Sequence, residues 1–380
     1  MKSRAHQLFD LGQSIWFDFI RRGHLVSGEF DALVRDSGVV GVTSNPTIFQ
    51  QAIADSRDYD EALAKGVAAG LSGVALFESL AIEDIRMACD RLADVAQRTS
   101  YRDGRVSIEV NPTKAHDTAG TIEEGRRLHR EVARENVMIK VPATREGLPA
   151  ITALTADGIS VNVTLIFSNA RYAEVIDAYL AGLEQRAAAG RPLDRTFSVA
   201  SFFVSRVDTK VDKAIEARLA TLPAGSTERA ELEGLRGQAA VANARLAYAL
   251  YESRMKGPRF APLAAKGANS QRPLWASTGT KNPAYPDTLY VDELVGPETV
   301  NTVPPATLTA FNDHGRVESR IRHDVDGAKR VFSRLPALGV PLDALIAELE
   351  PEGVTAFVKS FETLLAAIET RRAQMAGSGR

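Results

Sequence analysis

Eight short β-branched runs, each followed by a helix-length stretch, constrain this chain more than any other feature. The runs occupy residues 14–18, 39–43, 106–110, 137–141, 160–164, 196–201, 273–277 and 299–303. Helical patterns lie between them, among them 121–135, 148–156, 169–188 and 203–219. Strand–helix alternation predicts parallel strands joined by right-handed crossovers. Eight such units close into a (β/α)8 barrel, so the expected fold class is α/β, of the TIM-barrel type.

Some stretches exceed that minimal unit. Residues from about 50 to 99 read as several helices, the most regular at 77–95. A helical span at about 228–255 lengthens the connection to the seventh strand. From about 304 to 372 the chain is mostly helical, with a strongly amphipathic segment at 357–368. No internal repeat or convincing linker divides the chain. One decorated domain over 1–380, with a C-terminal helical extension and a frayed tail at 375–380, is the expected organisation.

Composition excludes several function classes. A formal net charge of −2 gives neither a nucleic-acid footprint nor a polybasic membrane surface. A single cysteine, Cys89, rules out an intramolecular disulfide and a thiolate zinc cluster. It sits in a helical pattern and reads as a core thiol. No stretch reaches the ~20 apolar residues of a membrane helix, and no apolar signal core opens the chain, so a cytoplasmic protein is expected. There is no His-x-x-His, Cys-x-x-Cys or His-Glu pair, so no metal is expected.

The residue that most directs a functional reading is Lys140, inside the apolar run Val137-Met138-Ile139-Lys140-Val141-Pro142. An ammonium rarely enters a buried strand without a partner, because desolvation disfavours the charged form. The same effect favours an amine nucleophile able to form a Schiff base with a carbonyl. A strand-end lysine that reaches back to solvent is the plainer alternative. In a (β/α)8 barrel, chemistry sits at the C-terminal ends of the strands. Those ends carry Asp18, Thr43-Ser44-Asn45, Glu109, Lys140, Thr164, Ser201 and Ser277, with Lys281 just beyond. A lysine nucleophile needs a carboxylate to move protons, hydroxyls to hold a water and amides to hold the substrate. Asp18, Glu109, Thr164, Ser201, Asn45 and Asn162 supply those groups.

These residues resemble the transaldolase family. Gly41-Val42-Thr43-Ser44-Asn45-Pro46-Thr47-Ile48-Phe49 is similar to its first signature, and 137–154 to the one around its Schiff-base lysine. Asn162 to Ser168 and Ser201 to Arg206 are similar to its fifth- and sixth-strand segments. The resemblance implies a class I aldolase barrel that moves a dihydroxyacetone unit between sugar phosphates in the non-oxidative pentose phosphate pathway. It implies no cofactor, and a monomer or homodimer. Lys140 would be the nucleophile, and Asp18 the acid/base of carbon–carbon cleavage. Glu109 would act through a water held by Thr164. Asn45, Asn162 and Ser201 would hold the dihydroxyacetone unit, Phe203 would pack nearby, and Arg206 and Ser277 would bind phosphate.

One departure stands out. The family's better-known members place an arginine shortly after the strand-seven serine, whereas here Ser277-Thr278-Gly279-Thr280 leads to Lys281. Lys281 is expected to replace that arginine as a point charge without the bidentate fork; a solvated loop lysine is the alternative. Asn45-Pro46 also reads as a helix cap and first helical residue. Three rival functions remain open from the residues alone: an aldolase that releases free dihydroxyacetone, a sugar-phosphate-binding barrel without catalysis, and a pyridoxal-phosphate enzyme.

Overall fold

Eight parallel strands close on themselves in chain order in the computed structural model, which describes residues 2–54 and 56–378, the last four by backbone only. They are β1 (Gln13–Phe17), β2 (Val39–Val42), β3 (Arg105–Glu109), β4 (Val137–Pro142), β5 (Val161–Ile166), β6 (Ser198–Phe203), β7 (Gln271–Ala276) and β8 (Thr299–Val303). β1 pairs with β8 and completes the barrel. Every strand expected from the sequence is present. Those runs are near-continuously apolar because a parallel barrel strand is covered on both sides, by the interior and by the helical ring.

Boundaries moved where hydrogen bonding overrides local pattern. β1 ends one residue before Asp18, whose N–H still donates to the Val303 carbonyl at 2.9 Å. β5 and β6 run past Thr164 and Ser201, to Ile166 and Phe203, so the helix expected from Phe203 starts instead at Ser205. The register of β5 against β6 shifts between Val163 and Ile166, and Leu165 has φ +61°. This irregularity lies beside Thr164. Ser277, just past β7, has φ +56°. Non-glycine residues in this region are strained, and such strain tends to gather at functional sites.

The segment around 50–99 is helical as expected, through Pro46–Ala54, Asp60–Ala68, Gly73–Arg91 and Ala93–Arg98. The span at 228–255 is two helices, Thr227–Gly234 and Ala239–Met255, not one. Gly237 between them takes φ +69°, a conformation that ends a helix cheaply only in glycine.

The amphipathic segment at 357–368 belongs to a longer helix, Leu349–Ser378. The end expected to fray is helical in backbone through Ser378, while Gly379 and Arg380 lie outside the described residues. Buried Phe357, Phe361, Leu364 and Ile368 form its apolar stripe. Phe361 meets Phe77 edge-on at 5.6 Å, and Phe77 meets Phe49 at 5.5 Å. This aromatic ladder docks the C-terminal helix on the helices after β2. Among the described residues no helix is long and apolar enough to cross a membrane.

Candidate active site

The buried lysine finds its partners on neighbouring strands. Lys140 on β4 lies in register with Glu109 on β3 and with Asn162 on β5. Its side chain is 5% exposed, as is that of Glu109, and Nζ stands 3.2 Å from Glu109 Oε2. That contact is an ion pair without hydrogen-bond alignment; Nζ donates instead to the Ser44 carbonyl at 3.1 Å. The ring of Phe357 covers the ammonium with its centroid 5.6 Å from Nζ. Lys140 therefore does not reach back to solvent.

Above it opens a cavity of about 320 Å³ at the C-terminal ends of the strands. Of the eleven residues expected at the site, nine line it: Asp18, Asn45, Lys140, Thr164, Ser201, Phe203, Arg206, Ser277 and Lys281. Glu109 and Asn162 do not. Glu109 faces a second, smaller cavity of about 20 Å³ on the side of Phe77 and Phe361. That volume admits a single water. Asn162 is fully buried, donating to Ser107 Oγ at 2.9 Å and accepting from Ser201 Oγ at 2.7 Å.

Both carboxyls are electrostatically poised. Burial raises the pKa of Glu109, with Lys140 opposing the shift and the charge of Asp18 adding to it. Burial likewise raises that of Asp18, opposed first by the Thr43 hydroxyl, which donates to Oδ1 at 2.6 Å, then by Lys140 and Lys281. Each carboxyl can thus hold a proton at a higher pH than an exposed one. Glu109 Oε2 and Thr164 Oγ1 are both buried without a hydrogen-bond partner among the described residues.

The rim is cationic. Arg206 follows β6 and makes no ion pair or hydrogen bond with a described residue; its guanidinium lies 5.8 Å from the centroid of the Phe203 ring. Burial disfavours its charge, and Glu352 opposes that effect. Lys281 is exposed and also unpaired among the described residues, and its charge is felt at Asp18. Ser277 Oγ contacts Ser205 Oγ at 2.9 Å, beside Arg206. Asn45 does cap the helix Pro46–Ala54, accepting from the Ile48 N–H at 2.9 Å through Oδ1. The cap uses only its oxygen, so its amide nitrogen remains available at the cavity.

Several groups at the site escaped the sequence reading. Thr43 links Asp18 to Thr302, whose hydroxyls meet at 2.6 Å. Its place at a strand end was visible, but its orienting role was not. Phe357 is separated from Lys140 by 217 residues, and the amphipathic pattern that marked its helix says nothing about which barrel residue it will cover. No group of three or more His, Cys, Asp or Glu side chains that could share a metal ion occurs among the described residues.

A closed barrel of parallel strands, with a cavity of charged, hydroxyl and aromatic side chains at their C-terminal ends, places the chain in the (β/α)8 class, where active sites lie at that end. Comparison with known proteins narrows it. A profile of the transaldolase/fructose-6-phosphate aldolase family matches residues 15–368. Over 96% of both chains, this one is 51% identical to the transaldolase of Saccharopolyspora erythraea and 47% to transaldolase 2 of a Nostoc species. It is 51% identical to the transaldolase of Thermobifida fusca, over 96% of this chain and 97% of that one. The chain belongs to the transaldolase/fructose-6-phosphate aldolase family and is an enzyme of the transaldolase type.

Proposed function

We propose that this enzyme transfers a dihydroxyacetone unit from a ketose phosphate to an aldose phosphate through a Schiff base on Lys140. The observation that carries the reading is the placement of Nζ, buried against Glu109 and Ser44 at the base of a cavity with unpaired cations at its rim. The donors are sedoheptulose 7-phosphate and fructose 6-phosphate, and the acceptors glyceraldehyde 3-phosphate and erythrose 4-phosphate. The setting is the non-oxidative pentose phosphate pathway, in the cytoplasm.

Lys140 attacks the donor ketone as the free amine, and the resulting carbinolamine loses water to give an iminium ion. Glu109 exchanges the protons of that dehydration through a water that Thr164 also holds. Glu109 Oε2 and Thr164 Oγ1 are each buried without a hydrogen-bond partner among the described residues, and such atoms are normally satisfied by ordered water. Asp18 then takes the proton of the substrate hydroxyl beside the scissile bond. The carbon–carbon electron pair flows into the iminium, the aldose phosphate leaves, and an enamine remains on Lys140. The acceptor aldehyde takes that fragment by the reverse steps, and hydrolysis of the new imine frees the lysine. Asn45, Asn162 and Ser201 position the dihydroxyacetone unit, and Phe203 packs beside it. Arg206, Ser277 and Lys281 receive the phosphate, the first and last as charges without an ion pair among the described residues. Phe357 and Phe203 keep water from the enamine, which favours transfer over release.

The test is intact-mass spectrometry after fructose 6-phosphate and borohydride, with and without erythrose 4-phosphate. A dihydroxyacetone-sized adduct on Lys140, depleted by the acceptor, is expected. An adduct that drains as free dihydroxyacetone would make the protein an aldolase, and no adduct would refute the Schiff base.

A further inference from the structure

The opposite, N-terminal end of the barrel holds a second charged cavity that the proposed reaction does not use. It measures about 70 Å³, several times the ~10–15 Å³ that one water needs. Arg105, the first residue of β3, and Arg272, the second of β7, both line it, with Ser198, Asn269 and Ser270 between them.

Arg105 is 1% exposed and has no carboxylate partner among the described residues. Its Nε donates to the Tyr101 carbonyl at 2.6 Å, and Nη1 to the Glu135 carbonyl at 3.0 Å and to Ser160 Oγ at 3.5 Å. Nη2 makes no hydrogen bond with a described residue. The guanidinium lies 4.1 Å from the Phe197 ring centroid, so its apolar surroundings add no counter-charge beyond the ring face. The charge of Asp103 favours the ionised form of Arg105 from nearby, but Asp103 is bonded to another arginine. Arg272 is matched by Asp103 at 3.0 Å, and half-exposed Arg102 at the cavity rim by Glu298 at 2.9 Å. The cavity walls therefore carry one surplus positive charge. Burial first, and then the charge of Arg272, disfavours the ionised form of Arg105, an effect that a bound anion reverses.

We propose that this cavity binds a small tetrahedral oxyanion of the phosphate or sulfate type, with Arg105 Nη2 as its principal donor and Arg272 as the second cation. A guanidinium presents the donors such an anion takes. Because the site is built from strands on opposite sides of the barrel, its occupancy stabilises the closed barrel by linkage. Inorganic phosphate becomes a stabilising ligand, separately from any phosphate bound at the catalytic mouth.

The experiment measures thermal stability and calorimetric binding of inorganic phosphate in the full chain, and in an Arg206→Ala, Lys281→Ala double variant that lacks the mouth cations. Stabilisation that persists in the double variant, and an affinity about 10–100-fold weaker in Arg105→Gln, are expected. Loss of stabilisation in the double variant, or its retention in Arg105→Gln, overturns the proposal. Should Arg105→Gln not fold, selenate soaked into wild-type crystals decides. An anomalous peak within hydrogen-bond distance of Arg105 Nη2 upholds the site, and peaks at the mouth alone refute it.

Discussion

Lys140 and Glu109 face each other in register on adjacent strands, their charged atoms 3.2 Å apart and both nearly sealed from solvent. A buried pair of this kind is a poor device for stability, because the desolvation of two ions offsets most of their attraction. In the proposed mechanism its value is chemical: it sets an amine beside a carboxyl whose pKa burial raises.

Replacing Lys140 by methionine removes the amine while keeping most of the side-chain volume. Turnover should fall on the order of 10³-fold or more, and the borohydride-trapped adduct should vanish with it. Mass spectrometry and a coupled assay on the same preparation check both. Retained turnover would assign the chemistry elsewhere.

Glu109→Gln and Asp18→Asn should separate the two halves of the reaction. The first should slow adduct formation by about 10²–10⁴-fold, the range of a lost general acid/base. The second should leave adduct formation largely intact and slow cleavage by a similar factor. Rapid-quench trapping distinguishes them. Equal effects of Asp18→Asn on adduct and turnover would refute its assigned step.

Asp18 should also cost the fold stability. Burial raises its folded pKa above the unfolded ~3.9, so its ionisation favours the unfolded chain progressively as pH rises from ~3.9, and in full above the folded value. Asp18→Asn should therefore be more stable than wild type at neutral pH, by about 1 kcal/mol as single replacements go. The difference should shrink as pH falls through the raised pKa towards 3.9. Urea denaturation at several pH values reads this directly.

The cationic rim predicts a binding phenotype. Arg206→Ala and Lys281→Ala should each raise KM for phosphorylated substrates about 10–100-fold, the worth of a hydrogen bond to a charged group. An unphosphorylated acceptor should be nearly indifferent to either change. Lys281→Ala without effect would return that residue to the role of a solvated loop lysine.

Far from the site, Arg22 and Asp84 form a buried pair at 2.7 Å, and Asp84 also accepts from the Tyr59 hydroxyl at 2.8 Å. Burial pushes Asp84 up to about 6 even so. Arg22→Met should destabilise by roughly 3–5 kcal/mol at alkaline pH, where the carboxylate is left uncompensated. Loss of the guanidinium raises the pKa of Asp84 further, so the penalty should diminish as pH falls towards about 6 and stay at its smallest below it, where Asp84 is protonated in both proteins.

Much of this molecule was legible in one dimension. The eight strands could be read because a parallel barrel strand is apolar on both faces and short, a pattern local to five or six residues. Lys140 stood out against such a strand for the same reason, since a charge in an apolar run is anomalous without any knowledge of its neighbours. Nine of the eleven expected site residues line one cavity because barrel topology delivers the C-terminal ends of all strands to one face. Asn45 as both cap and cavity residue was likewise visible in the dipeptide Asn45-Pro46.

What only the tertiary structure decided is each relation between groups remote in sequence. The split at Gly237 rests on a backbone conformation that a helical pattern does not encode. Glu109 and Asn162 lie in register with Lys140 yet do not line its cavity, because their side chains meet other partners, Glu109 a second cavity and Asn162 the hydroxyls of Ser107 and Ser201. Phe357 reaches Lys140 because its helix is anchored by Phe361 on Phe77, a docking between surfaces far apart along the chain. The guanidinium of Arg105 is without a carboxylate partner among the described residues. A chain with 46 basic and 48 acidic residues appears balanced throughout until folding determines which charges meet. Local patterns report what one segment gains from burial, whereas pairing and accessibility are properties of the closed barrel.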